Sequence, residues 1–404
     1  MPRKLHVAID CRITDFQQGI GTALLALAKA FSDSNVENQH YTFIAAENAK
    51  GLLDPYIYGP CVLESVTQST LSKAKRAIAQ IAPLRSAWNK LTNNAGHIPR
   101  SNGYIESRKF DLVHFPTQLA YATKLPSIYQ PHDLQHLHYP QFFSKGMLAK
   151  RERLYRTFCN RASFVCVQTE WTRKDIINQY HLPADKVVVI PWGSVFEAYS
   201  TPSTEEIRNT VDKYNLPKRF FVYPAVTWPH KNQEIIFRAL QILKRQHGIV
   251  PHVFFTGALT DYRSTLDKVA QYLGISEQVH FLGFVSPKEM QSILGVATAM
   301  IYPSRFEGFG LPILEAFQAL LPVLSSNATT LPEVAGDGAL YFDPDSPKEL
   351  SVMMRDILER PELRQNLIEK GKVVLSRYSF RETALRFNEL YERTADLSGN
   401  PMAL

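Results

Sequence analysis

Ile301-Tyr302-Pro303-Ser304-Arg305-Phe306-Glu307-Gly308-Phe309-Gly310-Leu311-Pro312-Ile313-Leu314-Glu315-Ala316 reads as a strand, a loop and the start of a helix. The apolar run ends at Tyr302, Gly308 and Gly310 punctuate the loop, and Pro312 falls in a first helical turn, where the missing N–H of proline costs nothing. A backbone without Cβ atoms approaches a ligand closely, and the free N–H groups of a helix start favour phosphate or sugar oxygens. Two carboxylates flank this anion-favouring loop, Glu307 at its entrance and Glu315 in what reads as the first helical turn. Carboxylates beside a phosphate repel it unless each takes hydroxyl donors, which the diols of ribose and hexose supply. The plainer reading of Glu315 is a side chain that complements the helix dipole.

The same strand-and-helix alternation runs outward in both directions. Candidate strands in the first half are 5–9, 41–45, 111–115, 127–130, 163–168 and 186–190; in the second they are 219–223, 252–256, 279–284, 299–302, 323–325 and 339–342. Several are apolar at four successive positions, such as Val187-Val188-Val189-Ile190, as expected for parallel strands covered by helices on both faces. Six strands per half predict an α/β protein of two doubly wound sheets. The expected divisions are a domain over 1–195, a linker over 196–218, a domain over 219–378 and a C-terminal helix over 379–404 that crosses back to the first domain.

With 404 residues, 45% hydrophobic and 21% charged, the chain has ordinary globular usage, and no apolar run approaches a membrane span. The N-terminal apolar run is too short for a signal peptide, and four cysteines without metal-type spacing fit a reduced, cytoplasmic chain. The net charge of +7 is uneven: residues 1–200 hold 23 Lys+Arg against 15 Asp+Glu, and residues 201–404 hold 22 against 23. The stretch 71–100 has no acidic residue and interleaves Lys73, Lys75, Arg76, Arg85, Lys90 and Arg100 with apolar side chains. That profile suits either an anionic surface, which would place the protein peripherally on the inner face of the cell membrane, or a solvated helical face. No nucleic-acid-binding pattern accompanies it.

The spacing Glu307-x7-Glu315 around Gly-Phe-Gly-Leu-Pro resembles the signature of the retaining, nucleotide-sugar-dependent glycosyltransferases of family four (glycosyl transferases group 1), which have the GT-B fold of two Rossmann-like domains facing across a cleft. The resemblance extends over nearly the whole chain: Gly19-Ile20-Gly21, Pro131-His132-Asp133-Leu134, Gln168-Thr169-Glu170-Trp171-Thr172-Arg173, Val189-Ile190-Pro191-Trp192-Gly193, Pro229-His230-Lys231-Asn232 and Leu331-Pro332-Glu333-Val334-Ala335-Gly336 follow in order. It implies that Lys231 holds the donor diphosphate, that Glu315 takes ribose hydroxyls, and that Glu307 lies near the transferred sugar. By the same resemblance the backbone of Gly308, Phe309, Gly310 and Leu311 meets that sugar or its phosphate. Gly257, Phe284 and Val285 then shape the diphosphate and base pockets, His132 approaches the transferred sugar, and Gly19 and Gly21 form an acceptor or phosphate loop.

The function this implies is transfer of a hexose, mannose or glucose, from GDP-mannose or a UDP-hexose to a hydroxyl of a lipid-linked or polysaccharide acceptor, with retention and without a metal or other cofactor. It resembles bacterial polysaccharide and O-antigen transferases in this. A nucleotide-sugar epimerase or hydrolase on the same fold, and an inactive membrane-recruiting subunit, are the alternatives. One departure stands out: the family's arginine about six positions before the lysine is absent near Ala225, leaving His230, Arg173 or Arg12 to supply a second cation. The pair His132 and His136 is bracketed by Pro131 and Pro140 without a carboxylate at diagnostic spacing, so no zinc site is expected.

Overall fold

Short runs of apolar residues become strands, and the helices between them return the chain so that each strand lies parallel to its neighbours. The computed structural model describes residues 4–12, 19–34, 38–66 and 98–398, which fall into two units, one of residues 1–190 with 381–404 and one of residues 191–380. The basic stretch over 71–97 lies outside the described residues. No helix among the described residues is long and apolar enough to cross a membrane.

The first unit carries β1 (Leu5–Asp10), β2 (Gln39–Ala46), β3 (Cys61–Val66), β4 (Leu112–Phe115), β5 (Ser127–Tyr129), β6 (Phe164–Val167) and β7 (Val187–Val189) in the order β3-β2-β1-β4-β5-β6-β7. Every pair is parallel. The central strands β4 and β6 are buried at every position, which explains their lack of polar alternation. The seventh strand, β3, departs from the six expected: it is an edge strand whose Val62 is 56% exposed, and its half-polar Cys-Val-Leu-Glu-Ser-Val run lacks the continuous apolar signal of the others.

The second unit carries β8 (Phe220–Pro224), β9 (His252–Thr256), β10 (Val279–Gly283), β11 (Ala299–Tyr302), β12 (Val323–Ser326) and β13 (Ala339–Phe342) in the order β10-β9-β8-β11-β12-β13, again all parallel. Strand order reverses between β1 and β4 in the first unit and between β8 and β11 in the second. At such a point the loops leaving the two carboxyl ends diverge and open a crevice.

Two boundaries differ from those read in the sequence. The segment 196–218 is part of the second unit rather than a linker. Its helix Thr204–Tyr214 opens with a Ser203/Glu206 capping box and is tied to helix Pro287–Val296 by Lys213–Glu289 at 2.6 Å and Lys288–Glu206 at 2.5 Å. The chain passes between units at Ile190/Pro191 and again at Phe380/Arg381, so the C-terminal helix Phe380–Ser398 belongs to the first unit from Arg381 onward.

That helix buries Phe387, Leu390 and Tyr391, and the Tyr391 ring meets those of Phe31 and Tyr41. Tyr391 Oη lies 2.8 Å from Nδ1 of His114 on β4, whose Nε2 lies 2.8 Å from Gln130 Oε1. Burial pushes the His114 pKa down to about 3, so the ring is neutral: Nε2–H donates to Gln130 and Nδ1 accepts from the tyrosine. Tyr391→Phe leaves that buried nitrogen unsatisfied and should cost about 1–3 kcal/mol in urea unfolding; an unchanged midpoint would remove the bond from the docking of this helix.

Candidate functional site

The switch point of the second unit gathers its charged residues. The chain leaves β8, makes a one-turn 3-10 helix at Pro229–Lys231 and enters helix Gln233–Ile242 through Asn232, whose φ is 59°. Lys231 therefore stands ahead of that helix rather than inside it. Tyr223 at the end of β8 donates its hydroxyl to Lys231 O at 2.9 Å and lies 3.0 Å from Ser304 Oγ in the loop after β11. Asn232 Nδ2 donates to Pro303 O at 3.1 Å and Pro344 O at 2.8 Å, and Arg305 N–H donates to His230 O at 2.9 Å. These bonds fix the two loops side by side and set Lys231 Nζ 2.6 Å from Glu307 Oε1, with the side chains 14% and 13% exposed.

The loop beyond Glu307 is held from the segment after β12. Glu307 N–H donates to Thr329 Oγ1 at 3.1 Å, and Thr330 Oγ1 donates to the carbonyls of Glu307 and Phe309, both at 3.1 Å. Gly310 has a φ of 109°, and a Cβ there would come within 2.9 Å of Leu331 Cδ2, so only glycine fits at this helix entrance. Phe309 and Leu311 are buried, with the Phe309 ring against Trp192 and Tyr378; their side chains are packing, and the backbone is what the loop presents.

The two carboxylates have opposite electrostatics. Burial pushes the Glu307 pKa up, but the charges of Lys231 and His230 and hydrogen bonds from Lys231 and Ser304 outweigh it and bring it below the ordinary value. Glu315 does not lie in the first turn as the sequence suggested: helix Leu311–Gln318 starts four residues earlier, its entrance has no side-chain cap, and its first turn holds no acidic residue. Complementing the helix dipole is thus not its role. The Glu315 carboxyl has no hydrogen-bond or ion-pair partner among the described residues, and burial alone pushes its pKa up to about 7.

The remaining second-unit residues lie at carboxyl ends of neighbouring strands. Gly257, after β9, has a φ of 103°, its N–H donates to Gly283 O at 2.8 Å, and a Cβ would come within 2.9 Å of Ala225 C. The position that carries the family's arginine is thus backbone packed against backbone. Phe284 is 45% exposed, and Val285 is buried.

In the first unit, Gly19 caps helix Ile20–Ser32 with a φ of 51° and Gly21 is buried in its first turn; residues 13–18 before them lie outside the described residues. His132 follows β5 and has a φ of 68°, a strained conformation for a residue with a Cβ. Its Nε2 lies 3.0 Å from Pro116 O and its Nδ1 3.3 Å from Gln168 Oε1, and burial pushes its pKa down to about 4. Gln168 Nε2 is buried without a partner, so a turned amide would donate to Nδ1 and leave Nε2–H for Pro116. The ring is neutral with both nitrogens engaged inside its own unit.

Of the three substitutes for the absent arginine, two are committed elsewhere. Arg12 pairs with Asp10 at 2.5 Å and lies over the Tyr121 ring, and Arg173 donates to Val187 O and Ala184 O. His230 lies close enough to Glu307 to lower its pKa. Among the described residues no group of three or more His, Cys, Asp or Glu could hold a metal; His136 meets Glu152 at 3.1 Å and His138 meets Asp175 at 2.9 Å. Sequence reasoning passed over Tyr223, Ser304, Thr329 and Thr330, whose only signals were a polar end to an apolar strand and a threonine pair ahead of Leu331.

Residues 18–194 match the family described as Glycosyltransferase Family 4, and residues 204–374 match Glycosyl transferases group 1. The chain belongs to these glycosyltransferases. It is 27% identical over 266 residues to O-antigen chain mannosyltransferase B of Escherichia coli, covering 65% of this chain and 68% of the relative. To O-antigen chain mannosyltransferase RfbU of Salmonella typhimurium it is 25% identical over 249 residues, covering 62% and 64%. A third relative, mannosyltransferase WbdA of Escherichia coli, is 26% identical over 328 residues, which are 80% of this chain and 38% of WbdA. HepE of Anabaena, solved with UDP and glucose, has the same fold with a TM-score of 0.70 at 19% identity, over 96% of this chain and 100% of that one. The two sheets are those of GT-B glycosyltransferases.

The Glu315 carboxyl sets a pH dependence. Its folded pKa of about 7 exceeds the ordinary glutamate value, so the folded state keeps a proton that the unfolded state has lost between those pH values, and stability falls as pH rises through that window. Glu315→Gln should abolish this slope and stabilise the ligand-free protein by about 3 kcal/mol at pH 8 while changing little at pH 4, as read by denaturant unfolding at both pH values.

Proposed function

We propose that the chain transfers mannose, or another hexose, from a nucleoside diphosphate sugar to a hydroxyl of a growing O-antigen or related polysaccharide, lipid-linked or free. Mannose from GDP-mannose is favoured by the mannosyltransferases among its relatives, with a UDP-hexose as the competing donor. The observation that carries this reading is the Lys231–Glu307 pair at the β8/β11 switch point, beside the glycine-bearing loop and the unpartnered Glu315 carboxyl. A diphosphate supplies the anion that Lys231 suits, and the diols of ribose and hexose supply donors for the two carboxylates.

The same arrangement supports a front-face, retaining displacement. Lys231 would stabilise the departing diphosphate, which itself takes the acceptor proton, so neither a protein nucleophile nor a metal is needed. The neutral, doubly engaged His132 suits a shape-setting role better than proton transfer. We place the reaction on the cytoplasmic side, where nucleotide sugars are made, with residues 71–100 as the segment meeting an anionic membrane.

The test is calorimetry with GDP, UDP and ADP in EDTA, followed by donor turnover with and without a polysaccharide acceptor and NMR of the product. One nucleotide should bind, Lys231→Ala should weaken it at least tenfold, and transfer should require acceptor and preserve the anomeric configuration. Donor turnover without acceptor would instead make the chain an epimerase or hydrolase, and absence of nucleotide binding would make it an inactive subunit.

A further inference from the structure

The opposite edge of the second unit, at the amino ends of its strands, holds a cavity of about 410 Å³. Lys218 and Arg219 enter it just ahead of β8, Val296 ahead of β11, Leu320 ahead of β12, and Arg364 and Ile368 come from helix Pro361–Leu375. Three side chains of the lining are cationic and none is acidic. Elsewhere in this unit Lys213, Lys231, Arg263, Lys288 and Arg305 each hold a carboxylate. Lys218, Arg219 and Arg364 have no ion-pair partner among the described residues.

Arg364 is also fixed in place. Its Nη1 donates to Ile357 O at 2.5 Å in the last turn of the preceding helix Pro347–Glu359, which leaves the rest of the fork for another acceptor. Pro361 opens the helix that carries Arg364 and lines the same cavity, while Glu362 in the first turn lies outside the lining.

Leu320 supplies an independent observation. It sits just past helix Leu311–Gln318 in a left-handed conformation, φ 57°, with Leu321 N–H closing back to Ala316 O at 2.9 Å. That is the position a glycine normally takes, because a side chain there is strained. The chain instead holds a leucine that is 51% exposed, at the cavity rim beside the partly buried Ile368. Folding alone gives no reason for a strained and exposed apolar side chain, whereas a ligand with an apolar part does.

We propose that this cavity is a second anion site, which binds a phosphate monoester that has an apolar stem: the phosphoryl group on Lys218, Arg219 and Arg364, the stem on Leu320, Val296 and Ile368. The charges of Lys218 and Arg219, together with that of Arg364, which is shared with the Glu362 carboxylate, match a phosphate dianion. This chemistry is shared by a soluble phosphate ester and a lipid headgroup. The site is independent of what the β8/β11 switch point takes, since it lies at the other ends of the same strands.

Two probes separate the sources, both used on the full chain carrying Lys231→Ala so that the switch-point lysine takes no part. Calorimetry with hexyl phosphate reads the soluble ester, and co-sedimentation with phosphatidylcholine vesicles containing phosphatidic acid reads the headgroup. Binding in either assay should weaken at least tenfold in the exposed double variant Lys218→Ala/Arg219→Ala and in Arg364→Gln, and should fall with added salt. Leu320→Gly should weaken it too while raising the melting temperature, a combination that loss of fold cannot produce. Absence of binding in both assays, binding that survives the double variant, or binding unchanged in Leu320→Gly would overturn the proposal.

Discussion

The contact between Lys231 and Glu307 is the constraint around which the second unit is arranged. Two charges almost withdrawn from water are tolerated only when their geometry is held and their remaining valences are met, because desolvation otherwise outweighs attraction. The neighbouring residues do that holding. Tyr223 and Asn232 bind the lysine turn to the loop after β11, and Thr329 and Thr330 bind the glutamate loop to the segment after β12. Three parallel strands thus contribute to one ion pair, and the reversal of strand order between β8 and β11 provides the space for it.

The pair also explains how one short segment hosts two unlike carboxylates. Glu307 spends its charge on a lysine and stays ionised; Glu315, one helical turn into the helix, has no cation and is held partly protonated near neutrality. An arriving diphosphate would compete with Glu307 for Lys231, and hydroxyl donors would favour the ionised form of Glu315. At the position of the absent arginine, Ala225 lies where Gly257 packs against its backbone, and His230 stands beside Glu307.

Most of the fold was legible because buried parallel strands write themselves as continuous apolar runs. The exception, β3, is an edge strand with a polar face, and its Cys61–Val66 run looks like many loop segments. The 196–218 segment read as a linker because its prolines and charges resemble one, whereas its capping box and two cross-helix ion pairs anchor it to the second unit. In the site, the Glu307/Glu315 spacing and Lys231 were legible as motifs, but their pairing was not: nothing in the spacing separates which carboxylate takes the lysine. Pro312 lies in the first turn as its position suggested, but the helix begins at Leu311 and Glu315 falls just beyond that turn. The engagement of both His132 nitrogens was invisible too, since Pro116 and Gln168 reach it only through folding.

The most direct measurement is a carboxylate NMR titration of Glu307 in the full chain, with and without saturating GDP or UDP. If Lys231 is shared between Glu307 and a donor diphosphate, the Glu307 pKa lies below the ordinary value in the free protein and rises when the nucleotide draws the lysine away and adds its own negative charge. A Glu307 pKa that does not move when the nucleotide is demonstrably bound would contradict the central role of this pair.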